Sequence, residues 1–483
     1  MQEQSLKYKM ITGIVWTAFQ KGGALIIGFI GNIILARLLS PDDYGCIGLL
    51  LIFTSIADIL IDGGLGVALI QKKEIKDIDC STVFTTNLFI SIGLFCLLFL
   101  LAPNISRYFD IPILRPMLRI ECIVIMLQAL YIIPSALLNR ALSFKKLAII
   151  TISSNIISVV FAVICAYGGL GVWSLVIKNI VLQCSLCLLY WFNGNWKMNF
   201  KFSFKSFKVL FKYGSLVGLS NLVESIFANV ESFVIGRCYT AKTLGYYSQA
   251  KSLGQIPIYS ISMVVNQVLF PVLSKLQDQN SALVHSTRKS LIAITYIAFP
   301  LITLLCILSK PVIILLYSEK WAPAIPFLQL VCIAGLINSV IHTNFSVLKS
   351  VGCGNLFLFS QVVINFIKLL LMIIGIKFGV MGVLGGHVVG NYIGSGILSF
   401  LSGRTIGYGL KKQMLDLFPS FFLSIFLGLV LYLIMSQLAI GHILTILVVS
   451  IVFGMTYLVF SGIFAFEGFK IYKEIIKTRY LKA

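Results

Sequence analysis

About fourteen apolar stretches of membrane-spanning length, following one another along 483 residues with only short polar segments between them, restrict this chain to one kind of fold. A stretch of about twenty such residues crosses a hydrocarbon core of roughly 30 Å as a helix that satisfies its own backbone hydrogen bonds. The runs lie near 11–36, 44–68, 82–102, 116–138, 147–167, 172–193, 210–236, 244–273, 290–309, 322–347, 355–376, 380–402, 417–437 and 443–465. They predict an all-α polytopic membrane protein. With 58% hydrophobic and 11% charged residues, no segment is left over for a soluble catalytic domain.

The net charge of +21 does not point to nucleic acid, because the basic residues are scattered through short loops and not gathered on one face. With the N-terminus placed in the cytoplasm, 25 of the 38 Lys and Arg fall in inner segments and 8 in outer ones. Positive-inside bias therefore puts both termini in the cytoplasm. Lys7 and Lys9 precede an apolar run interrupted by Gln20 and Lys21, with no small-residue cleavage site, so the first helix is expected to be retained.

Eleven cysteines lie in or beside apolar runs, and Cys184 and Cys187 alone have CxxC spacing, so they read as small hydrophobes. His285, His342, His387 and His442 show no ligand spacing, and there is no GxxxxGK[ST] loop. Neither a metal, a cofactor nor an enzymatic activity is expected.

The chain carries an internal repeat. The first helix exits through LARLLSPDDYG at 35–45 and the seventh through IGRCYTAKTLG at 235–245, so that Arg37 and Gly45 recur as Arg237 and Gly245. Gly168, Gly171 and Val172 likewise recur as Gly379, Gly382 and Val383. A unit of six helices enters the membrane from the same side in both copies, which predicts parallel repeats about a pseudo-twofold along the membrane normal. The expected organisation is an N-lobe over 1–204, a C-lobe over 205–412, and two further helices with a basic cytoplasmic tail over 413–483. The rocking of two such lobes opens a central cavity alternately to either side. Between Leu417 and Phe466 there is no Asp, Glu, Lys or Arg, so those last two helices should face lipid.

An ionisable side chain at mid-bilayer costs roughly 2.5–3.5 kcal/mol, so each one asks for a partner or a wet cavity. The cations are Lys21, Arg119, Lys178, Lys251 and Lys368; the anions are Asp58, Glu121, Glu224 and Glu231. Lys21 lies twelve residues from Lys9 and sixteen from Arg37, too deep to snorkel to either surface. It either pairs with Asp58 or serves as a cavity cation for an anionic head group, and the two are compatible if substrate displaces the carboxylate. Arg119, Lys178, Lys251 and Lys368 sit in the outer halves of their helices and are further candidates for the same role. Asn221, Glu224 and Glu231 share one face of the seventh helix, a polar stripe suited to a cavity wall, to a neighbouring helix or to ion coupling. Gly22, Gly23, Gly28 and Gly31 surround Lys21 and would let the first helix pack closely or bend beside a substrate.

The segments LARLLSPDDYG at 35–45, DGGLGVALIQ at 62–71, RALSFKKLA at 140–148, IGRCYTAKTLGYYSQAKSL at 235–253 and VLFPVLSKLQ at 268–277 resemble the Wzx-type polysaccharide flippases. The branch they are most similar to exports colanic and teichuronic acid units, within the multidrug/oligosaccharidyl-lipid/polysaccharide exporter superfamily. The resemblance covers roughly residues 9–410. It implies a bacterial cytoplasmic-membrane transporter, two six-helix lobes plus two helices, and alternating access. It also implies an undecaprenyl-diphosphate-linked oligosaccharide as cargo, a proton or sodium ion for coupling, and a polysaccharide polymerase as partner. Where that family often has Asp before the seventh-helix exit, this chain has Glu231. A lipid II flippase and a cation-coupled multidrug exporter share the superfamily. A membrane polysaccharide polymerase is the alternative of another class, and it calls for a larger outer loop than the roughly dozen residues found here.

Overall fold

A computed structural model describes residues 2–194, 196–265, 269–437 and 441–480; Val268 of the last resembling segment and Lys482 of the basic tail lie outside the described residues. The chain folds as two compact units, Met1–Gly245 and Tyr246–Ala483, and all regular structure among the described residues is helical.

In the first unit the helices are α1 (Gln2–Leu38), α2 (Pro41–Asp62), α3 (Leu65–Gln71), α4 (Asp77–Tyr108), α5 (Leu114–Arg140), α6 (Phe144–Tyr167), α7 (Trp173–Asn193) and α8 (Phe204–Cys238). Local chemistry sets their ends. Ser40 caps α2 in a box with Asp43, with Pro41 opening the helix where a missing N–H costs nothing. Gly63 and Gly64, with φ of +50° and +74°, turn the chain out of α2 into α3, a conformation that Cβ-bearing residues resist.

Packing in this unit joins α1 to α6, α4 to α5, and α5 and α6 to α7, while α8 lies along α2 and α3. The α8–α2 contact rests on glycines at the α3 end: a Cβ on Gly64 would run into the carbonyl of Gly214, and one on Gly218 into the backbone of Gly63. Midway along, Asn229 donates to Ser55 Oγ at 3.1 Å. The core beneath α3 is Leu65, Leu69, Val83, Phe84, Ile133 and Leu210.

The second unit is built from α9 (Ala241–Val264), α10 (Phe270–Lys275), α11 (Asn280–Ile307), α12 (Ser309–Tyr317), α13 (Ile325–Leu336), α14 (Asn338–Ser350), α15 (Gly354–Gly375), α16 (Gly379–Ile406), α17 (Leu410–Gln437), α18 (His442–Ile463) and α19 (Glu467–Tyr480). The first turn of α9 belongs to the first unit. The run expected at 322–347 is two helices, α13 and α14, and the one at 244–273 divides into α9 and α10.

One face of α17 and α18 packs on the rest of this unit through Phe299–Phe421 and Tyr296–Tyr457, while Phe418, Phe422 and Phe426 form an exposed stacked stripe on α17. Such an apolar stripe, on the charge-free part of α17 beyond Asp416, suits acyl chains. Among the described residues, eleven helical stretches are long and apolar enough to cross a membrane, and one of these, Gly354–Ile406, contains both α15 and α16. The protein is a multi-pass membrane protein.

Candidate functional site

Lys21 stands on a helix whose other face is anchored. Gln20 donates to Thr151 Oγ1 on α6 at 2.8 Å, and Gly23 and Gly31 are pressed against Ile152 and Val159 of the same helix. Those two glycines serve close packing. Gly22 and Gly28 have open space where a Cβ would be, and Lys21 itself is exposed. The helix runs unbroken through this region over 37 residues, so no break accompanies the glycines. Asp58 sits on α2 in the α5 contact, and among the described residues no ion pair joins it to Lys21.

The other expected cations of the first unit occupy separate places. The Arg119 guanidinium lies 4.5 Å from the ring centre of Phe99 on α4, a cation–π contact that accounts for part of its burial. Lys178 is half-buried on α7. On α8, Asn221 and Glu224 are exposed and Glu231 is half-buried, while the adjoining face, with Gly214, Gly218 and Asn229, is the one that meets α2 and α3. Asn221 and Glu224 thus lie exposed on this unit, and Glu231 is partly covered.

In the second unit, Lys251 lies on α9 with its ammonium 5.6 Å from the ring centre of Tyr247. Lys368 on α15 runs its stem across Gly390 of α16, where a Cβ would come within 2.8 Å of Lys368 Cγ. The glycine makes room for the lysine.

The helix exits that revealed the repeat are equivalent in detail. The N–H of Asp43 bonds Ser40 Oγ at 3.3 Å, and the N–H of Thr243 bonds Thr240 Oγ1 at 3.2 Å, so α2 and α9 start with the same cap 200 residues apart. The two starts also touch reciprocally. A Cβ on Gly45 would strike the carbonyl of Ala241, and one on Gly245 the carbonyl of Pro41. This is the pattern of a local twofold, in which residue i meets j and the equivalent of j meets the equivalent of i. Arg237 extends from the same corner to Asp110 at 3.7 Å and to the ring of Tyr108.

Two polar clusters bring in partners that were not singled out from sequence. Inside the first unit, Asn179 of α7 donates to Glu121 Oε1 at 2.9 Å and Tyr131 of α5 donates to Gln183 Oε1 at 2.7 Å. In the second, Arg288 of α11 binds Asp416 of α17 through Nε and Nη2 at 2.9 and 2.8 Å, and also grips Glu467 at the start of α19. The sequence signal for the first was there: Glu121 and Gln128 are seven apart on one helix, and Asn179 and Gln183 four apart on another. For the second, partners 128 and 179 residues away leave no spacing to read.

Comparison with known proteins adds a family and a fold. The model of a family described as polysaccharide biosynthesis protein matches residues 34–326. The teichuronic acid biosynthesis protein TuaB of Bacillus subtilis is 27% identical over 354 residues, 73% of either chain. The lipopolysaccharide biosynthesis protein WzxC of Escherichia coli is 26% identical over 431 residues, 87% of this chain and 86% of that one. Among solved structures, the lipid II flippase MurJ in an inward closed conformation superposes with a TM-score of 0.77 at 18% identity, covering 96% of this chain and all of that one. An inward-facing multidrug transporter of the MATE family reaches 0.61 over 81% of this chain.

Proposed function

Because the chain belongs to the polysaccharide biosynthesis protein family, we propose that it is a flippase carrying an undecaprenyl-diphosphate-linked oligosaccharide repeat unit from the cytoplasmic to the outer leaflet of a bacterial cytoplasmic membrane. It assists surface polysaccharide assembly without making or breaking a covalent bond. The single observation that carries this reading is the exposed ammonium of Lys21, inside the membrane-length stretch Val15–Leu38 and flanked by the open space at Gly22 and Gly28. A diphosphate must shed water to cross, and a cation facing it supplies charge-assisted hydrogen bonds stronger than neutral ones. Arg119 and Lys178 in the first unit and Lys251 and Lys368 in the second are further candidate cations for the same role, and Asn221, Glu224 and Glu231 candidate polar or coupling residues.

In the same reading the chain crosses the membrane fourteen times with both termini in the cytoplasm, as two lobes over 1–204 and 205–412 and a peripheral pair of helices over 413–483. The shared caps at Ser40 and Thr240 and the reciprocal glycines support the repeat. Transport proceeds by alternating access, coupled to a proton or sodium ion, and delivers cargo to a polysaccharide polymerase. The fold alone also suits a lipid II flippase or a drug exporter. The family match favours polysaccharide, and five intramembrane cations against four anions disfavour a cationic drug.

Deleting the gene is expected to strand lipid-linked repeat units on the cytoplasmic leaflet and to abolish one surface polysaccharide. Arrival of those units at the outer leaflet at the normal rate, with no second flippase present, would overturn the assignment.

A further inference from the structure

Two acids inside the first unit, Asp58 on α2 and Glu121 on α5, have buried oxygens that nothing satisfies. Glu121 is 1% exposed; its Oε1 takes the Asn179 amide and its Oε2 has no partner. Asp58 has the amide of Gln128 within hydrogen-bonding reach, yet Asp58 Oδ1 and Gln128 Oε1 are both buried without a donor. All three orphans are acceptors. What the cluster lacks is therefore a donor or a positive charge, and an ionised carboxylate kept from water without one is costly.

The protein's own cations do not fill the gap. Arg119 is drawn away over Phe99, and neither it nor Lys178 on α7 forms an ion pair with either acid among the described residues. Asp62 on α2 accepts from the N–H of Gly66, and Tyr131 donates to Gln183. The other side chains on α7 able to titrate are Cys184, Cys187 and Tyr190, none of them cationic. From α3, and from the stretches 80–106 of α4 and 147–167 of α6, no charged side chain comes at all; α8 carries Glu224 and Glu231 in its middle and its cations, Lys205, Lys208, Lys212 and Arg237, towards its two ends, and among the described residues none of these forms an ion pair with either acid.

We propose that Asp58 and Glu121, held by Gln128 and Asn179, form a proton-binding pair buried between α2, α5 and α7. A proton completes each carboxyl with a single acceptor, converting an orphan oxygen into an O–H that can reach a neighbouring orphan. A metal ion would need a shell of several oxygens, whereas each acid here has one amide beside it, and no group of three or more metal-ligating side chains occurs among the described residues. On the transporter reading, on which this consequence alone rests, the pair is where a proton gradient acts on the cycle.

The test uses the full chain in proteoliposomes, the wild type beside Glu121→Gln and Asp58→Asn, which keep shape and leave an oxygen for Asn179 or an amide for Gln128. Infrared difference spectra across a pH step are expected to show carboxylic-acid carbonyl bands that lose one component in each variant, and an imposed pH gradient is expected to drive transport in the wild type alone. Bands present without any oligosaccharide transport would keep the proton pair and reject the cargo assignment. Absence of both bands in folded wild-type protein would overturn the pair. So would sodium-dependent stabilisation that both variants abolish, which would make it a sodium site.

Discussion

Gly45 and Gly245, 200 residues apart, each lie against the backbone of the other's helix start, Gly45 on the carbonyl of Ala241 and Gly245 on that of Pro41. A side chain at either position has to separate α2 from α9. Replacement by Val should cost about 1–3 kcal/mol in each case, the usual range for overfilling a tight contact. Because the contact is reciprocal, the gap that admits one side chain admits the other, and the double variant should cost clearly less than the sum. Thermal unfolding of the four proteins in one detergent measures this. Additive losses would mean that the two glycines act independently.

At Lys21 the outcome separates a cargo cation from a structural one. Lys21→Ala should cripple transport and leave protein abundance unchanged, and Lys21→Arg should retain part of the activity, keeping charge but not shape. With no ion pair to Asp58 among the described residues, adding Asp58→Ala should not rescue Lys21→Ala. Rescue of both abundance and flipping by the double variant would reduce Lys21 to a charge-balancing residue.

At the junction of α11, α17 and α19, Arg288 holds Asp416 bidentately while Tyr408 donates to the same carboxylate at 2.7 Å. Loss of the guanidinium leaves a largely buried carboxylate with one neutral donor. Arg288→Ala is expected to destabilise the protein by about 1–2 kcal/mol, a value reduced for the partial exposure of the arginine, and Arg288→Lys to recover only a fraction. An unchanged melting temperature in Arg288→Ala would show that the clamp is decorative and that α19 is held by Gly468 and Tyr472 against α11.

Much of this architecture is legible from residue order because a membrane penalises every unsatisfied backbone group, so helix positions follow from apolar length. The expectation of a repeat came from Arg37, Gly45, Arg237 and Gly245, which keep their spacing, and the matching caps at Ser40 and Thr240 agree with it. Less legible was where intramembrane charges point. Helical spacing puts Asn221 and Glu224 on one face but cannot tell whether that face is covered. Depth alone made Lys21 and Asp58 natural partners, although α1 packs on α6 and Asp58 faces α5. For the Glu121–Asn179 bond, which joins residues 58 apart, spacing marks a polar face on each helix and leaves open that the two faces meet.

Sidedness follows from the distribution of lysines. In a cysteine-free background, single cysteines at Lys205 and Lys411 should resist an impermeant reagent added to intact cells, and those at Lys242 and Lys320 should react. Labelling at 205 from outside would refute the cytoplasmic placement of both termini.

The central claim is that this chain moves a lipid-linked oligosaccharide between leaflets. Purified protein in proteoliposomes loaded with a labelled undecaprenyl-diphosphate oligosaccharide, probed with an impermeant sugar-modifying reagent, measures that movement directly. The expected result is that the protected fraction becomes accessible with wild-type protein and stays protected in empty liposomes and with Lys21→Ala. Equal accessibility with and without folded wild-type protein would contradict the claim.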